Sequence, residues 1–232
     1  MVKRLLDVVL SSIALVIALP LLALAGAGIR AASPGPVLYR SRRVGRERRP
    51  FLMYKLRTMH VASRAGGEAG SAITAPGDAR VFRFGRWLRR AKIDELPQLF
   101  NVLRGDMSII GPRPEDPRLV AAHYAPAHLE TLVVRPGLAS PGSLYSCTHG
   151  NALLSAERPE GSYAERLLPV KLALDLVYVR RASLPYDLAL MARTAWVIAA
   201  TLAGRWAFPE PPEMPEARRL LVACPARRQE VA

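Results

Sequence analysis

The chain has 232 residues and a formal net charge of +14, and this length fits one ordinary domain with appendages rather than two domains. A strongly basic surface attracts polyanions, which include nucleic acid, anionic lipid headgroups and phosphorylated small molecules. Aromatic residues make up only 6% of the chain and do not alternate with the basic residues, so we expect no nucleic-acid partner. The two cysteines, Cys147 and Cys224, indicate neither a disulfide framework nor a metal cluster.

The first apolar segment is long enough to cross a bilayer. Val8 to Ile29 is a run of 22 residues without charge, or roughly 33 Å as a helix. Pro20 lies in its middle, where it removes a backbone hydrogen bond and kinks the helix. Basic residues flank both ends, Lys3 before the run and Arg30 after it, and such flanks favour the cytoplasmic side. The pattern therefore favours a kinked helix that enters one leaflet and returns, while a signal peptide and a plain transmembrane anchor stay open at this point.

The next segment predicts a basic hairpin. Short β-like runs at 37–39 and 51–56 flank a turn. From Arg40 to Arg57 there are eight basic residues against Glu47 alone. Such a cluster beside an apolar anchor favours contact with anionic headgroups, and a solvated charged hairpin is the alternative.

Two segments lead to a pair of adjacent carboxylates. Residues 60–79 are rich in Gly, Ala and Ser without an apolar period, which predicts a mobile loop or lid. The segment 80–90 predicts a short basic helix. Proline is tolerated in a first helical turn, so the segment around Pro97 predicts a helix that begins at Asp94 or Glu95 and ends at Gly105.

The Asp94-Glu95 pair has two interpretations. Asp94 could cap the helix and Glu95 could be a first-turn acid favoured by the helix dipole. Alternatively, one carboxylate could attack phosphorus while the other binds Mg²⁺. Attack on a pyrophosphate needs its charge neutralised, and nearby cations could do this. These cations are Arg86, Arg89, Arg90, Lys92 and Arg113.

The C-terminal third predicts two helices and a tail. On the helix over 167–181, Lys171, Asp175 and Tyr178 share one face. The apolar segment 184–204 has too short an uncharged stretch to span a bilayer, which predicts a core or interfacial helix. The proline-rich segment 205–232 is predicted to be disordered.

Taken in order, these motifs resemble one family. The chain contains KRLLD, an apolar helix with a central proline, SPGPVLYRSRRVGR, YKLRTM, DARVFRFGRWLRRAKIDELPQLFNVLRGDMSIIGPRP, RPG and LDLVYV. This order resembles the bacterial sugar transferases, the small monotopic phosphoglycosyl transferases that start exopolysaccharide, capsule, O-antigen or glycoprotein glycan assembly. The resemblance covers about residues 1–204, and the block from DELPQL to GPRP is its most specific part.

The resemblance implies an enzyme that transfers substituted phosphate groups. The family moves a phosphosugar from a nucleotide diphosphate sugar, usually a UDP-sugar, to a polyprenyl phosphate such as undecaprenyl phosphate, and releases UMP. A reaction that needs cytoplasmic nucleotide argues against an exported chain. The resemblance also implies a monotopic protein of the bacterial inner membrane that contacts lipids of the cytoplasmic leaflet. A homodimer is compatible with it.

The expected fold is α/β, mostly helical with a small sheet, with an N-terminal re-entrant membrane helix and interfacial helices. We expect three parts: the re-entrant helix at 1–32, a catalytic domain facing the cytoplasm at 33–204, and the disordered tail at 205–232.

The resemblance also implies roles for single residues. Asp94 matches the family's nucleophile, which forms a covalent phosphosugar intermediate and lies close to Mg²⁺, the expected cofactor. Glu95 is expected to help hold the metal or the lipid phosphate. The other expected site residues are the phosphate or nucleotide ligands Arg89, Arg113, Lys55 and Arg57, the functional acid Asp175, the two prolines Pro112 and Pro114 of GPRP, and the kink residue Pro20. We expect Arg86, Arg90 and Lys92 to face lipid instead.

Two stretches depart from the family pattern. Many members have a serine before the kink proline, where this chain has Leu19. The segment 138–154 differs from the usual continuation after RPG, and we expect it to border the sugar or nucleotide.

Overall fold

The computed structural model describes residues 1–61, 73–74, 77–155 and 157–223. Most of these residues are helical. The helices are α1 (Val2–Ala32), α2 (Arg83–Arg90), α3 (Gln98–Arg104), α4 (Pro117–His123), α5 (Pro141–Leu153), α6 (Pro159–Ser162, continued as a π-helical turn over Tyr163–Leu167), α7 (Leu168–Arg181), α8 (Leu184–Leu202) and α9 (Met214–Ala223). The strands are β1 (Leu38–Val44), β2 (Pro50–Leu56), β3 (Ser108–Ile110) and β4 (Gly137–Ala139). The predicted fold class, mostly helical with small sheets, is confirmed.

Helix α1 is apolar, long and largely exposed. It continues through Pro20 over 31 residues. Within the described part of the chain it is the one helix long and apolar enough to cross a membrane. Its middle leaves Val16, Ile17 and Leu24 at least two-thirds exposed. So large an apolar surface on a single helix marks a site of contact with lipid or with another protein.

The N-terminal turns of α1 are fastened to the rest of the protein by charged groups. Lys3 Nζ lies 2.6 Å from the Asp187 carboxylate on α8. Arg4 donates to two carbonyl oxygens in the last turn of α3, at 2.6 and 2.9 Å. The buried Asp7 accepts from the Ser108 hydroxyl and the Ile109 amide of β3. Each of these contacts joins the start of the chain to residues about a hundred or more positions away.

The C-terminal turns of α1 pack against the same body. Ala25 and Ile29 are buried in a core cluster with Leu88 of α2. A side chain at Gly28 would overlap the ring of Phe84, so α1 and α2 approach closely only because this residue is glycine. Both ends of α1 therefore contact one globular body. In its middle, one narrow face with Ser11 and Ala18 is buried while the other faces are largely exposed.

Two small sheets organise the centre of the chain. Strands β1 and β2 form the predicted antiparallel hairpin, with Leu38 opposite Leu56 and Val44 opposite Pro50. Strands β3 and β4 pair in parallel. A Cβ at Gly137 would clash with the Gly111 backbone, so the GPRP segment and the RPG segment can lie side by side only with glycine at this position.

Helix α7 is the central helix of the core. Residues Leu172 to Tyr178 are all buried, and α5, α9 and the 3₁₀ segment Pro126–Leu132 pack around them. A helix that is apolar nearly all round must be covered on every side, which explains why its neighbours come from both before and after it in the chain.

The disordered tail predicted from Arg205 is wrong over the described residues. Helix α9 packs on α7, with Met214 and Ala217 buried. Glu213 accepts from Arg193 and Tyr186 of α8. The proline-rich composition suggested disorder, yet ten residues of this segment form an amphipathic helix. Burial of its apolar side chains against α7 offsets the conformational entropy lost when the segment becomes ordered. Residues 224–232 lie outside the described residues.

Two other boundaries differ from the prediction. The helix expected to begin at Asp94 or Glu95 begins at Gln98, because a 3₁₀ turn over Ile93–Glu95 precedes Pro97. Its predicted end at Gly105 is confirmed, with the glycine at φ 96° as its cap. Most of the predicted loop at 60–79 lies outside the described residues.

Candidate active site

The carboxylate pair lies in a tight turn between α2 and α3. Lys92, just before the turn, has φ 58°, a left-handed conformation that non-glycine residues seldom adopt. Neither carboxylate caps a helix, since the turn has no side-chain cap hydrogen bond. The capping interpretation of Asp94 is therefore wrong, and both carboxylates are directed to other partners or to none.

Glu95 is held by two cations. Arg113 donates from both terminal nitrogens, with Nη1 3.0 Å from Oε2 and Nη2 2.5 Å from Oε1. Lys55 Nζ lies farther away, 3.4 Å from Oε1. Burial alone would raise the pKa of Glu95, but the charges of these two residues and of Lys92 outweigh burial and hold it well below its usual range. Glu95 is thus a permanent anion whose two oxygens are already in use.

Asp94 differs from its neighbour in its hydrogen bonds and in the direction of its pKa shift. It is 6% exposed, and among the described residues no group donates a hydrogen bond to its carboxylate. Burial raises its pKa, and the charge of Glu95 raises it further, while Lys55, Lys92 and Arg89 act in the opposite direction. A desolvated carboxylate without hydrogen-bond donors keeps its lone pairs available for attack.

Three cations complete the surroundings of Asp94. The Arg89 Nε donates to the Thr58 hydroxyl at 2.8 Å, and its charge acts on Asp94. Burial lowers the pKa of Lys55 to about 8, against the opposing effect of Glu95. The pKa of Lys92 is raised, first by Cys147 and then, against burial, by Glu95 and Asp94. The charge of Lys92 thus acts on both carboxylates, which favours a place at the site over the lipid-facing place expected for it.

Arg57 lies elsewhere. Its Nε donates to the Pro36 carbonyl at 2.6 Å, and its terminal nitrogens donate to the hydroxyl and carbonyl oxygens of Ser33 at 2.8 and 2.6 Å. These contacts tie the end of α1 to strand β2. The geometry supports this fastening role instead of the phosphate-binding role predicted for Arg57.

Asp175 belongs to a buried network behind the site. It accepts from the Gly142 amide at 3.0 Å, at the first turn of α5. Burial raises the pKa of Asp175 to about 6, against the opposing effect of Lys171. Lys171 in turn pairs with Glu115, which also accepts from the Tyr163 hydroxyl at 2.5 Å. Asp175 therefore positions α5, and no described contact brings it to Asp94.

Glu115 was missed by sequence reasoning. Its backbone carbonyl accepts from Val44 of β1 at 3.0 Å, and its carboxylate is anchored on α7. Pro112 and Pro114 restrict the backbone on either side of Arg113, and the Pro112 carbonyl accepts from Gly137. The guanidinium that holds Glu95 is thus carried on a segment fixed at both ends. The sequence feature that could have pointed to Glu115 is its position directly after the GPRP motif.

Asp94 is better suited than Glu95 to provide the carboxylate oxygens that would bind Mg²⁺. Among the described residues no cluster of three or more metal-binding side chains exists. Mg²⁺ does not require one, since it commonly binds one or two carboxylates together with substrate phosphates and water. Asp94 has a carboxylate without protein donors, whereas both oxygens of Glu95 are engaged by Arg113.

Comparison with known proteins gives one consistent result. A family model described as "Bacterial sugar transferase" matches residues 1–201. A UDP-glucose:undecaprenyl-phosphate glucose-1-phosphate transferase of Caulobacter vibrioides is 39% identical over 198 residues, which are 83% of this chain and 67% of that protein.

Two further relatives have the same region. A UDP-N-acetylgalactosamine-undecaprenyl-phosphate N-acetylgalactosaminephosphotransferase of Aeromonas hydrophila is 34% identical over 88% of this chain and 45% of its own length. "Exopolysaccharide production protein PSS" of Rhizobium leguminosarum bv. phaseoli is 32% identical over 83% of this chain and 92% of its own length. The chain thus spans only part of several curated relatives that it matches.

Proposed function

Because this chain belongs to the bacterial sugar transferase family, we propose that it transfers a phosphosugar from a UDP-sugar to undecaprenyl phosphate and releases UMP. Relatives named for glucose-1-phosphate and N-acetylgalactosamine-phosphate transfer support the reaction class and leave the sugar open. The observation that carries the proposal is the contrast within the pair. Glu95 is engaged by cations, while Asp94 is buried, has no ion-pair or hydrogen-bond partner among the described residues, and is surrounded by positive charge.

The first step divides the donor. An Asp94 carboxylate oxygen attacks the phosphorus that bears the sugar, and the bond from that phosphorus to the bridging oxygen breaks. The bridging oxygen leaves with UMP, and the phosphosugar stays on Asp94 as an acyl phosphate. Charge on the three equatorial oxygens is stabilised by Arg89, Lys55 and Lys92, which lie in the surroundings of Asp94.

The second step regenerates the enzyme. A phosphate oxygen of undecaprenyl phosphate attacks the same phosphorus, and the bond to Asp94 breaks, which returns the free carboxylate and forms the lipid diphosphate sugar. No external acid or base is required if the lipid phosphate enters as a dianion. Two displacements at one phosphorus predict ping-pong kinetics.

The cofactor proposed for this site is Mg²⁺. Bound by Asp94 and the diphosphate oxygens, the ion would neutralise part of the donor's negative charge. Glu95, which is held by Arg113, keeps the cations in place around the reacting group.

We place the protein at the bacterial inner membrane, with the catalytic part in the cytoplasm, where UDP-sugars are made. Both ends of α1 contact the same globular body: Lys3 and Arg4 dock at the start, and Ile29 and Ser33 are held at the end. A helix that crossed the bilayer would separate these two ends by about 30 Å of hydrocarbon. A re-entrant helix that dips into one leaflet keeps both sets of contacts, and Pro20 lies in its exposed middle.

We expect residue 2 and residue 118 to lie on the same side of the membrane. In a Cys147→Ser, Cys224→Ser background, Val2→Cys and Arg118→Cys should both resist a membrane-impermeant maleimide in intact spheroplasts. Both should react after permeabilisation, since Val2 and the Arg118 side chain are well exposed. Labelling of Val2→Cys alone in intact spheroplasts would show that α1 spans the bilayer.

The reaction itself is tested by UMP release. Detergent-solubilised full-length protein would be incubated with Mg²⁺ and a panel of UDP-sugars, with and without undecaprenyl phosphate. We expect UMP release in excess of enzyme only when the lipid phosphate is present, with one sugar or a small set preferred. Absence of UMP with every donor, from protein that binds none of them by calorimetry, would exclude a sugar transferase and leave a membrane scaffold.

A further inference from the structure

All three tryptophans of the chain are exposed. Trp87, Trp196 and Trp206 have 51%, 46% and 58% of their surface accessible. Tryptophan is highly buried on average in soluble proteins, since leaving its large ring in water costs free energy. Three exposed rings in a chain with so few aromatic residues therefore need a common explanation.

The first ring lies on α2, directly beside α1. Trp87 stacks on Phe84 with 5.7 Å between ring centroids and 16° between planes, and Phe84 packs against α1 at Gly28. The outward face of α2 also contains the exposed Arg83, Arg86 and Arg90. Arg83, Arg86 and Trp87 line an open cleft of about 740 Å³. Arg89 projects from the other face of the helix, toward Thr58 and Asp94.

The second ring lies on α8, which flanks the other end of α1. The two charged residues of α8 are directed inward: Asp187 pairs with Lys3 and Arg193 pairs with Glu213. Its exposed face is consequently built from Leu, Ala and Trp side chains. The largest members of this face are Leu184, Leu188, Trp196 and Leu202.

The third ring joins the far ends of these two helices. The Arg90 guanidinium, at the end of α2, lies 5.1 Å from the Trp206 ring centroid. The Arg205 guanidinium lies 5.3 Å from the Trp196 ring and 5.8 Å from Phe208. Arg90 thus links α2 to Trp206, and Arg205 links the segment after α8 to Trp196. Arg205 and Trp206 follow the last residue matched by the family model.

We propose that Trp87, Trp196, Trp206, Arg90 and Arg205 form a tryptophan collar around α1 that sits in the headgroup region of an anionic bilayer. Tryptophan rings prefer the boundary between headgroups and hydrocarbon, and arginines bind lipid phosphates and also stack on the rings. Complementarity of charge favours anionic lipid over an apolar protein partner, because Arg90 and Arg205 lie at the rings and α2 exposes Arg83 and Arg86 beside them.

The collar would set the depth of the protein in the membrane. With the rings at the headgroup boundary, the exposed middle of α1 lies in hydrocarbon and the inner face of α2, with Arg89, faces the cytoplasmic side. The reacting group would then meet a lipid phosphate at the height where such phosphates occur. The inference concerns membrane contact and does not depend on the chemistry proposed for Asp94.

The wild-type protein is itself the probe, because every tryptophan belongs to the collar. Full-length protein in nanodiscs of phosphatidylcholine and phosphatidylglycerol would be compared in lipids brominated near the headgroup, in lipids brominated deep in the chain, and in unbrominated discs with aqueous acrylamide. We expect tryptophan emission to be lost mainly in shallow-brominated lipid, less in deep-brominated lipid and least with acrylamide. Variants with two Trp→Phe changes would assign the loss to each ring.

A matched control places a tryptophan on a helix that does not share a core cluster with α1, α2 or α8. Arg118→Trp, combined with Phe at the three native positions, puts the ring on α4, whose core cluster contains no residue of α1, α2 or α8. This ring should be quenched by acrylamide and unaffected by brominated lipid. Native rings that behave like the control would overturn the collar, and UMP release from the same nanodiscs would show independently whether the enzyme is active.

Discussion

Asp94→Asn is expected to abolish phosphosugar transfer while the protein stays folded and membrane-bound. Asparagine has nearly the same shape but cannot form the acyl phosphate, so UMP release should fall by a factor of roughly 10³ or more, as when other covalent nucleophiles are removed. No described hydrogen bond depends on the carboxylate. Because burial raises the pKa of Asp94, folding disfavours its ionised form relative to the unfolded chain, and a neutral amide should not destabilise the protein.

The covalent step gives this prediction a second measurement. Without lipid acceptor, wild-type protein given a UDP-sugar should release about one UMP per enzyme and gain the mass of one phosphosugar. Asp94→Asn should do neither, with an unchanged circular dichroism spectrum. A variant that turns over like wild type would disprove the role of Asp94 as nucleophile.

Arg113→Gln is expected to reduce both activity and stability. It removes the two hydrogen bonds that hold Glu95 at 3.0 and 2.5 Å. Among the described residues, Lys55 is then the remaining ion-pair partner of a carboxylate whose side chain is only 17% exposed. An uncompensated buried charge of this kind costs about 3 kcal/mol. Transfer should fall by roughly 10² to 10³ as the cations around Asp94 lose their arrangement.

One further variant separates the paired hydrogen bonds of Arg113 from its charge, and a second serves as an exposed control. Arg113→Lys keeps the charge but cannot make two parallel hydrogen bonds, so we expect activity between that of the wild type and Arg113→Gln. Arg118→Gln, in an arginine whose side chain is 71% exposed, should change stability by no more than about 0.5 kcal/mol. Thermal unfolding in detergent and UMP release would be measured on all three. Equal losses in Arg113→Gln and Arg118→Gln would remove Arg113 from the site.

The sequence predicted those site residues that lie close together along the chain. Asp94, Glu95, Arg89 and Arg113 lie within one block of 25 residues, and the structure brings all four together with Lys55. Lys92 lies in the same block, yet the sequence did not show that its charge acts on the carboxylate pair, because its left-handed backbone breaks the helical pattern from which its orientation was predicted. The phosphate-binding role predicted for Arg57 was not supported, for the opposite reason. Arg57 lies within the YKLRTM motif, but its partners are the Pro36 and Ser33 carbonyls, which lie outside that motif.

Local composition misled the prediction where tertiary burial stabilises a weak helix. The prolines after Arg205 favoured disorder, whereas Met214 and Ala217 are buried against α7. The π-helical turn before α7 and the 3₁₀ turn before α3 moved boundaries by a few residues for similar reasons. Such choices differ by small free energies that contacts with distant residues decide.

The sequence by itself determined the family, the helical fold class, the apolar N-terminal helix and the carboxylate pair among cations. Each of these depends on residue type and on spacing within a short segment. Only the tertiary structure decided that Glu95 is paired while Asp94 has no partner among the described residues, because Arg113 and Lys55 reach Glu95 from 18 and 40 positions away. It likewise decided that both ends of α1 contact one body, because charged pairs across about a hundred or more residues leave no local pattern.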